Sequence, residues 1–407
     1  MLMPAGSLPV LKVAVEYGAD AVYIGGEAFS LRANAHNFSI NDIKEGVRFA
    51  HARGTKVYVT ANIFAHNSDL EEAYAYFEEL RDTGIDAVLI SDPGLFDIAR
   101  KVMPDMEIHI STQANNTNYG IFNFWYRQGA KRVVCARELS LDEIKQIREK
   151  IPADMEIEAF VHGAMCISYS GRCLLSAYMT GRSANLGACT HPCRWKYSLV
   201  EESRPGQYMP VMENDRGTYI FNSKDLCMIE HIPQMLDAGI DSLKVEGRMK
   251  SALYVASVGR TYRIAIDDYL EDPAKYRSRI GYYKEEISKC TYRDFTTGFF
   301  FGKPGLDAQI YDANTYVKEW IYLGMAGDDK IEENGRIRYG FEQKNKFCVS
   351  DEVEIMKPRG ENITAKVCAM WDENGQPIMS CPHPMQHFYA DFGTELEPYD
   401  IIRSRQP

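Results

Sequence analysis

No apolar run in this 407-residue sequence approaches the roughly 18–20 residues that a membrane-spanning helix requires, so a helical membrane protein is not expected. The opening Met1-Leu2-Met3-Pro4-Ala5-Gly6 shows no basic region leading into an apolar one. A cytoplasmic protein in a reducing compartment is therefore expected, where disulfides are rare. Positive charge is also in short supply: the net charge of −11 argues against an indiscriminate grip on nucleic acid, though not against a local basic groove. His-Glu-x-x-His, Gly-x-Ser-x-Gly and a Walker-type phosphate loop are all missing, which removes the commonest routes to hydrolysis. Ala5-Gly6-Ser7-Leu8 is not a dinucleotide-binding glycine fingerprint, and no internal repeat or low-complexity tract occurs. What remains is 45% hydrophobic and 25% charged, the balance of a globular chain long enough for one large domain and one smaller.

Short apolar, β-branched runs alternate with helix-period segments as far as about residue 270. The expected strands are Leu2–Ala5, Ala21–Ile24, Lys56–Asn62, Ala87–Ser91, Glu107–Thr112, Arg132–Ala136, Glu156–His162 and Ser242–Glu246. Between them Ile43, Val47 and Ala50 fall on one helical face, as do Leu70, Ala73, Phe77 and Leu80. Eight such units fit an α/β fold, a (β/α)8 TIM-like barrel over 1–270, better than an open doubly wound sheet. One unit is interrupted: residues 163–226 form a cysteine-rich insertion between strand seven and a helix expected over Met228–Ala238. Residues 271–309 read as a helical connector. From 310 to 407 the short alternating runs, with turns at Asn334-Gly335 and Asn374-Gly375, read as a small C-terminal all-β barrel.

The insertion holds Cys166, Cys173, Cys189 and Cys193 in the spacing Cys-x6-Cys-x15-Cys-x3-Cys, with Cys227 beyond a polar loop. Thiols gather either to pair or to hold metal, and a reducing compartment leaves metal as the leading reading. Only Cys189-x3-Cys193 resembles a zinc knuckle, so an iron–sulfur cluster is preferred, with zinc as the alternative. A thiol protease built on Cys166 with His162 or His191 would leave the other cysteines unexplained. Cys135, Cys290, Cys348, Cys368 and Cys381 are scattered and read as small buried hydrophobes.

Strand C-termini carry the chemistry of such barrels. They offer Asn62, Ser91, Asp92, Gln113, Asn115, Arg137, Glu138, His162, Glu246, Arg248 and Lys250, all expected to face one mouth. Lys244-Val245-Glu246-Gly247-Arg248-Met249-Lys250-Ser251 ends a strand and opens a helix with cations, a good seat for a carboxylate or phosphate. Arg248 has a structural alternative in an ion pair with Glu246, and His162 in a hydrogen-bonded barrel-end position. Arg32 lies on the loop after strand two and either reaches the mouth or is a solvated charge.

The run Glu158-Ala159-Phe160-Val161-His162-Gly163-Ala164-Met165-Cys166-Ile167-Ser168-Tyr169-Ser170-Gly171-Arg172-Cys173 resembles the signature of the collagenase-like U32 peptidase family. So do Pro4-Ala5-Gly6, Asp20–Gly26, Asn222–Cys227, Lys244–Ser251 and Gly298–Pro304. The Cys189-Thr190-His191-Pro192-Cys193-Arg194-Trp195 run and the C-terminal β domain are most similar to the family's tRNA-hydroxylating members. That resemblance implies prephenate-dependent, oxygen-independent C5-hydroxylation of the wobble uridine to 5-hydroxyuridine, with an iron–sulfur cluster, of 4Fe-4S type. It implies Cys166, Cys173, Cys189 and Cys193 as ligands, with Cys227 the alternative fourth. Catalytic roles are then expected for His162, Glu246 and Arg248, and substrate binding for Arg32, Gln113, Arg137, Arg248 and Lys250. Prephenate and the tRNA anticodon arm would be the partners, with a paralogous U32 subunit or a second copy as a further one. Relatives begin strand one a few residues earlier, so either that strand is short here or the start lies upstream. The rival expectations are a collagenase-like, metal-dependent peptidase and a zinc-stabilised RNA-binding protein.

Overall fold

A computed structural model describes the whole chain except residues 31–36, 166–172, 174, 183–188, 191, 193–198, 201–207, 210–212, 215–216, 219–223, 304–315, 334 and 407. Seven parallel strands follow one another around a barrel: β1 (Leu2–Pro4), β2 (Ala21–Gly25), β3 (Lys56–Ala61), β4 (Ala87–Ile90), β5 (Glu107–Ile110), β6 (Arg132–Val134) and β7 (Glu156–Ala164). Six helices alternate with them: α1 (Leu8–Glu16), α2 (Ile40–His51), α3 (Asn67–Arg81), α4 (Pro93–Val102), α5 (Tyr119–Arg127) and α6 (Leu141–Arg148). Beyond the insertion, whose described elements include α7 (Leu175–Thr180) and two short ladders, β8 (Leu199–Val200) with β9 (Tyr208–Met209) and β10 (Glu213–Asn214) with β11 (Gly217–Thr218), the chain returns as β12 (Asp225–Cys227), α8 (Ile232–Asp237) and β13 (Ser242–Val245). Strand β13 pairs in parallel with both β1 and β7, which closes the eight-stranded barrel.

The strands are largely apolar on both sides because both sides are buried. Val22, Ile24, Val57, Val59, Val88 and Ile90 point outward into the main core with the helices, while Leu2, Ala21, Tyr23, Tyr58, Ala87 and Leu89 form a separate cluster inside the barrel. Helix starts are fixed locally. Ser39 with Asp42 and Ser140 with Glu143 make capping boxes, and Asp92 accepts from the Gly94 and Leu95 amides at the start of α4. Asp92, expected at the mouth, is thus spent on a cap. The helix expected over Met228–Ala238 is a 3-10 turn at Ile229–His231 followed by α8, whose first turn carries Pro233.

Two features escape the simple barrel plan. Strand β7 outgrows its neighbours, and its end pairs antiparallel with β12, Ala164 opposite Asp225 and His162 opposite Cys227. Strand β14 (Phe295–Thr296), after helices α9 (Ala252–Glu271), α10 (Pro273–Ser278) and α11 (Ile280–Ser288), adds alongside β12 in parallel. Arg293, 1% exposed, locks this addition by donating to the Asp225 carboxylate from Nε (3.0 Å) and Nη2.

The C-terminal part is two sheets. One runs β15 (Trp320–Met325), β23 (Ile401–Arg405), β18 (Glu352–Met356), β19 (Ile363–Lys366); the other β16 (Lys330–Glu333), β17 (Arg336–Glu342), β22 (His387–Asp391), β20 (Ala369–Asp372), β21 (Pro377–Ile378). Leu323, Tyr339, Phe341, Ile355, Met370 and Phe388 fill the space between. Cys348 and Ser380 add an isolated antiparallel bridge. This unit docks on α1 and α9. Tyr17 Oη donates to the Met356 and Tyr399 carbonyls, and the fully buried Arg403 reaches Ser257, Glu286 and Glu354. Among the described residues no helix is long and apolar enough to cross a membrane.

Candidate active site at the barrel mouth

The inside of the barrel is plugged by charge. Glu158 on β7, fully buried, accepts from Lys244 Nζ (2.8 Å), Ser242 Oγ (2.9 Å) and Arg132 Nη1 (3.1 Å). Burial opposes ionisation of Glu158, but the Lys244 and Arg132 cations outweigh it and draw the carboxyl down to about 2. Burial in turn lowers Lys244, with Glu158 pulling it back up. Lys244, read from the sequence as part of a mouth-facing cationic run, therefore lies beneath the mouth as a structural cation. Its ammonium sits 4.5 Å from the Tyr23 ring centroid and 5.4 Å from that of Phe160.

Above Phe160 begins the mouth. The Arg137 guanidinium stacks 4.0 Å from the Phe160 centroid, donates to the Ala164 carbonyl (2.8 Å) and pairs with Glu246 at 3.5 Å. Arg248, 6% exposed, donates from Nη1 to Ser30 Oγ (2.6 Å) and Thr60 Oγ1 (2.9 Å). Gly25 is needed here, since a Cβ would lie 2.5 Å from Arg248 Nη1 and 2.3 Å from Ser30 Oγ. Gly163 has φ +110 and would set a Cβ 2.6 Å from the Glu246 carbonyl, so the signature glycine lets β7 and the end of β13 close on each other. Asn62 and Gln113 gather around Ser111: Asn62 Nδ2 donates to its Oγ (3.2 Å) and so does the Gln113 amide (3.4 Å). The remaining oxygens, Asn62 Oδ1 and Gln113 Oε1, are buried with no partner among the described residues. Two guanidiniums and two idle acceptors at one barrel end can hold an anion and an N–H donor side by side.

His162 takes a different place. Its ring lies 5.6–5.9 Å from the rings of Tyr254 and Tyr262 on α9 and Phe295 on β14, an aromatic cage rather than the Arg137–Arg248 group. A bulge in the β7–β13 register between Lys244 and Val245 accounts for the altered direction. Burial lowers His162 to about 4, with Asp225 pulling upward and Lys250 downward, so it is neutral at pH 7. Its Nδ1 is buried without a partner among the described residues. Lys250 joins this cage to the surface, its ammonium 5.0 Å from the Tyr254 centroid and 5.5 Å from Tyr316.

Arg32, Cys166 and Cys193 lie outside the described residues. Cys173 and Cys189 are half-buried. Their segments adjoin, since Ser176 on α7 accepts from the Thr190 amide (3.0 Å) and its Oγ lies 3.2 Å from Thr190 Oγ1. Cys227 sits 3.9 Å from Tyr262 Oη, and burial pushes its thiol up to about 11. Among the described residues no three metal-ligating side chains converge. Half-buried thiols on adjoining segments are nonetheless the donor type that soft iron or zinc prefers. Sequence reasoning missed Ser30, Thr60, Glu158 and Arg132. Only Gly25, within the Asp20–Gly26 motif, hinted at the first two.

Two family models match the chain: "Peptidase family U32" over residues 6–309 and "Peptidase family U32 C-terminal domain" over residues 318–403. The chain is 41% identical to "tRNA hydroxylation protein P1" of Bacillus subtilis, over 99% of this chain and 94% of that protein. It is 37% identical to "tRNA hydroxylation protein P" of Escherichia coli, over 94% and 91%. A 23S rRNA 5-hydroxycytidine synthase of Escherichia coli is 35% identical over 78% of this chain and 47% of its own length.

Proposed function

The chain belongs to peptidase family U32, and from that premise we propose that it is an RNA hydroxylase acting on tRNA. The observation that carries the reading is the mouth itself, where half-buried Arg137 and buried Arg248 share one barrel end with unpartnered acceptors on Asn62 and Gln113. Relatives named for hydroxylating tRNA and rRNA, matched across most of this chain, support the substrate class. In its finer form the proposal is prephenate-dependent, oxygen-independent C5-hydroxylation of the wobble uridine. Arg137 and Arg248 would take the carboxylates of prephenate, a bidentate task suited to guanidinium, with Arg32 and Lys250 completing the cationic rim. Asn62 and Gln113 would accept from the base. Glu246 would hold Arg137 in place, and neutral His162 would keep water and charge away from the wall shared with β12. Cys166, Cys173 and Cys189, with Cys193 or Cys227 as the fourth ligand, would hold an iron–sulfur cluster. When bound, such a cluster supplies the redox capacity that replacing C–H by C–OH demands and side chains lack.

The test is genetic. Deleting the gene should strip the cell's tRNA of 5-hydroxyuridine-derived nucleosides, measured by mass spectrometry. The wild-type gene should restore them, whereas Cys173→Ser or Arg248→Met should not. Unchanged tRNA in the null strain would sink the reading. Gelatin cleavage by anaerobically purified protein, with tRNA untouched, would favour the peptidase instead.

A further inference from the structure

A second cavity, of about 600 Å³, lies outside the barrel mouth, between the starts of α1 and α9 and the first strand of the C-terminal unit. Both helices follow barrel strands, so the cavity opens on the same face as the mouth. Its outer wall is Lys318, Trp320 and Tyr322, alternate residues of one segment, with Lys344 beside them. Two positions upstream of Lys318, the half-exposed Tyr316 faces Lys250, the last cation of the mouth. The order along the cleft is thus Lys250, Tyr316, Lys318 and then the half-buried Trp320 and Tyr322: cations and aromatics on one line, leading away from the mouth.

We propose that this cleft is a single-stranded RNA track that holds the nucleotides next to the one entering the barrel. The inference rests on the RNA-hydroxylase reading and names where that substrate is gripped. Aromatic faces stack on bases irrespective of sequence, and interleaved lysines meet the phosphates between them. Charge supports that occupant over a protein segment. Lys318 has no ion-pair partner among the described residues, in a chain of net charge −11. The neighbouring carboxylates are already engaged, Glu319 by Arg405 at 3.5 Å and Glu342 by Lys344. Lys289 and Arg403 lie over the Trp320 ring, 5.0 and 5.4 Å from its centroid, which fixes the platform. A cavity of this size admits a nucleotide or two and excludes a duplex.

Fluorescence anisotropy of a labelled single-stranded oligoribonucleotide on the full-length protein tests it. Lys318→Glu and Tyr316→Ala, both at exposed positions, should each weaken binding roughly tenfold, and Lys318→Glu should flatten the salt dependence by close to one phosphate contact. Lys101→Glu on α4, at the far end of the barrel, should bind as wild type, and a duplex of the same sequence should compete poorly. Thermal melts establish that each variant is folded. If folded Lys318→Glu and Tyr316→Ala bind single strands as tightly as wild type, the track is wrong while the RNA reading survives. If the wild-type protein binds no RNA and leaves tRNA unmodified, both fall.

Discussion

Glu158 sits where such barrels ordinarily keep branched aliphatics, and it is tolerable only because Lys244, Arg132 and Ser242 reach it. Replacing one partner of a buried pair strands the other, at a cost of about 3–5 kcal/mol. Glu158→Leu should lose about that much stability in urea unfolding, because Lys244 remains buried and uncompensated. The pH dependence has a definite sign. A carboxyl held at about 2 in the fold, against an ordinary value near 4.5, adds stability above pH 4.5 that drains away as pH falls toward 2. Unfolding measured across that window should be steeper for wild type than for Glu158→Leu. The network was invisible in the sequence. Glu156, Glu158, Arg132 and Lys244 are readable there as polar breaks in strands, but which side of a strand they face depends on closure of the barrel. Arg248 was legible as a mouth residue, while its hydroxyl partners Ser30, after β2, and Thr60, on β3, are distant in sequence and only the closed ring brings them to it.

At the scale of elements, the eight barrel strands and most of their helices could be read from apolar runs and helical periodicity. Each barrel strand lies within two residues of where those runs put it. Strands β12 and β14 could not be read, being too short for any periodicity, and their pairing depends on the Asp225–Arg293 pair, sixty-eight positions apart. That dependence is testable. Arg293→Leu should strand the Asp225 carboxylate and destabilise this patch by about 3–5 kcal/mol. Hydrogen exchange should then accelerate in peptides covering 162–165 and 225–228, while β2 to β5 keep their protection. Uniform acceleration across the barrel would show that the patch is not a separate unit. His162 illustrates the same limit: its place at the end of β7 was legible, but the bulge that turns it toward Tyr254 and Tyr262 was not.

At the scale of the molecule, the two parts are joined by a charge cluster rather than by apolar surface alone. Arg403 on the last strand binds Glu354 of its own sheet and Glu286 on α11, and Lys289 bridges the same two carboxylates. Burial resists ionisation of Glu286, yet Arg403 and then Lys289 hold it at about 2. Wild-type protein should accordingly unfold in one calorimetric transition at neutral pH. Arg403→Met should separate the C-terminal unit as an earlier transition, and a single unsplit peak in that variant would count against the coupling. The insertion stands outside this arrangement. It leaves the barrel at Ala164 and comes back at Asp225, and those two residues are ladder partners. A detour whose two ends are clipped together adds little conformational cost as it lengthens, about 0.6 kcal/mol for each doubling. The cysteine-bearing segment therefore behaves as a cartridge, free to be shortened, extended or exchanged in evolution while the vessel that receives it stays as it is.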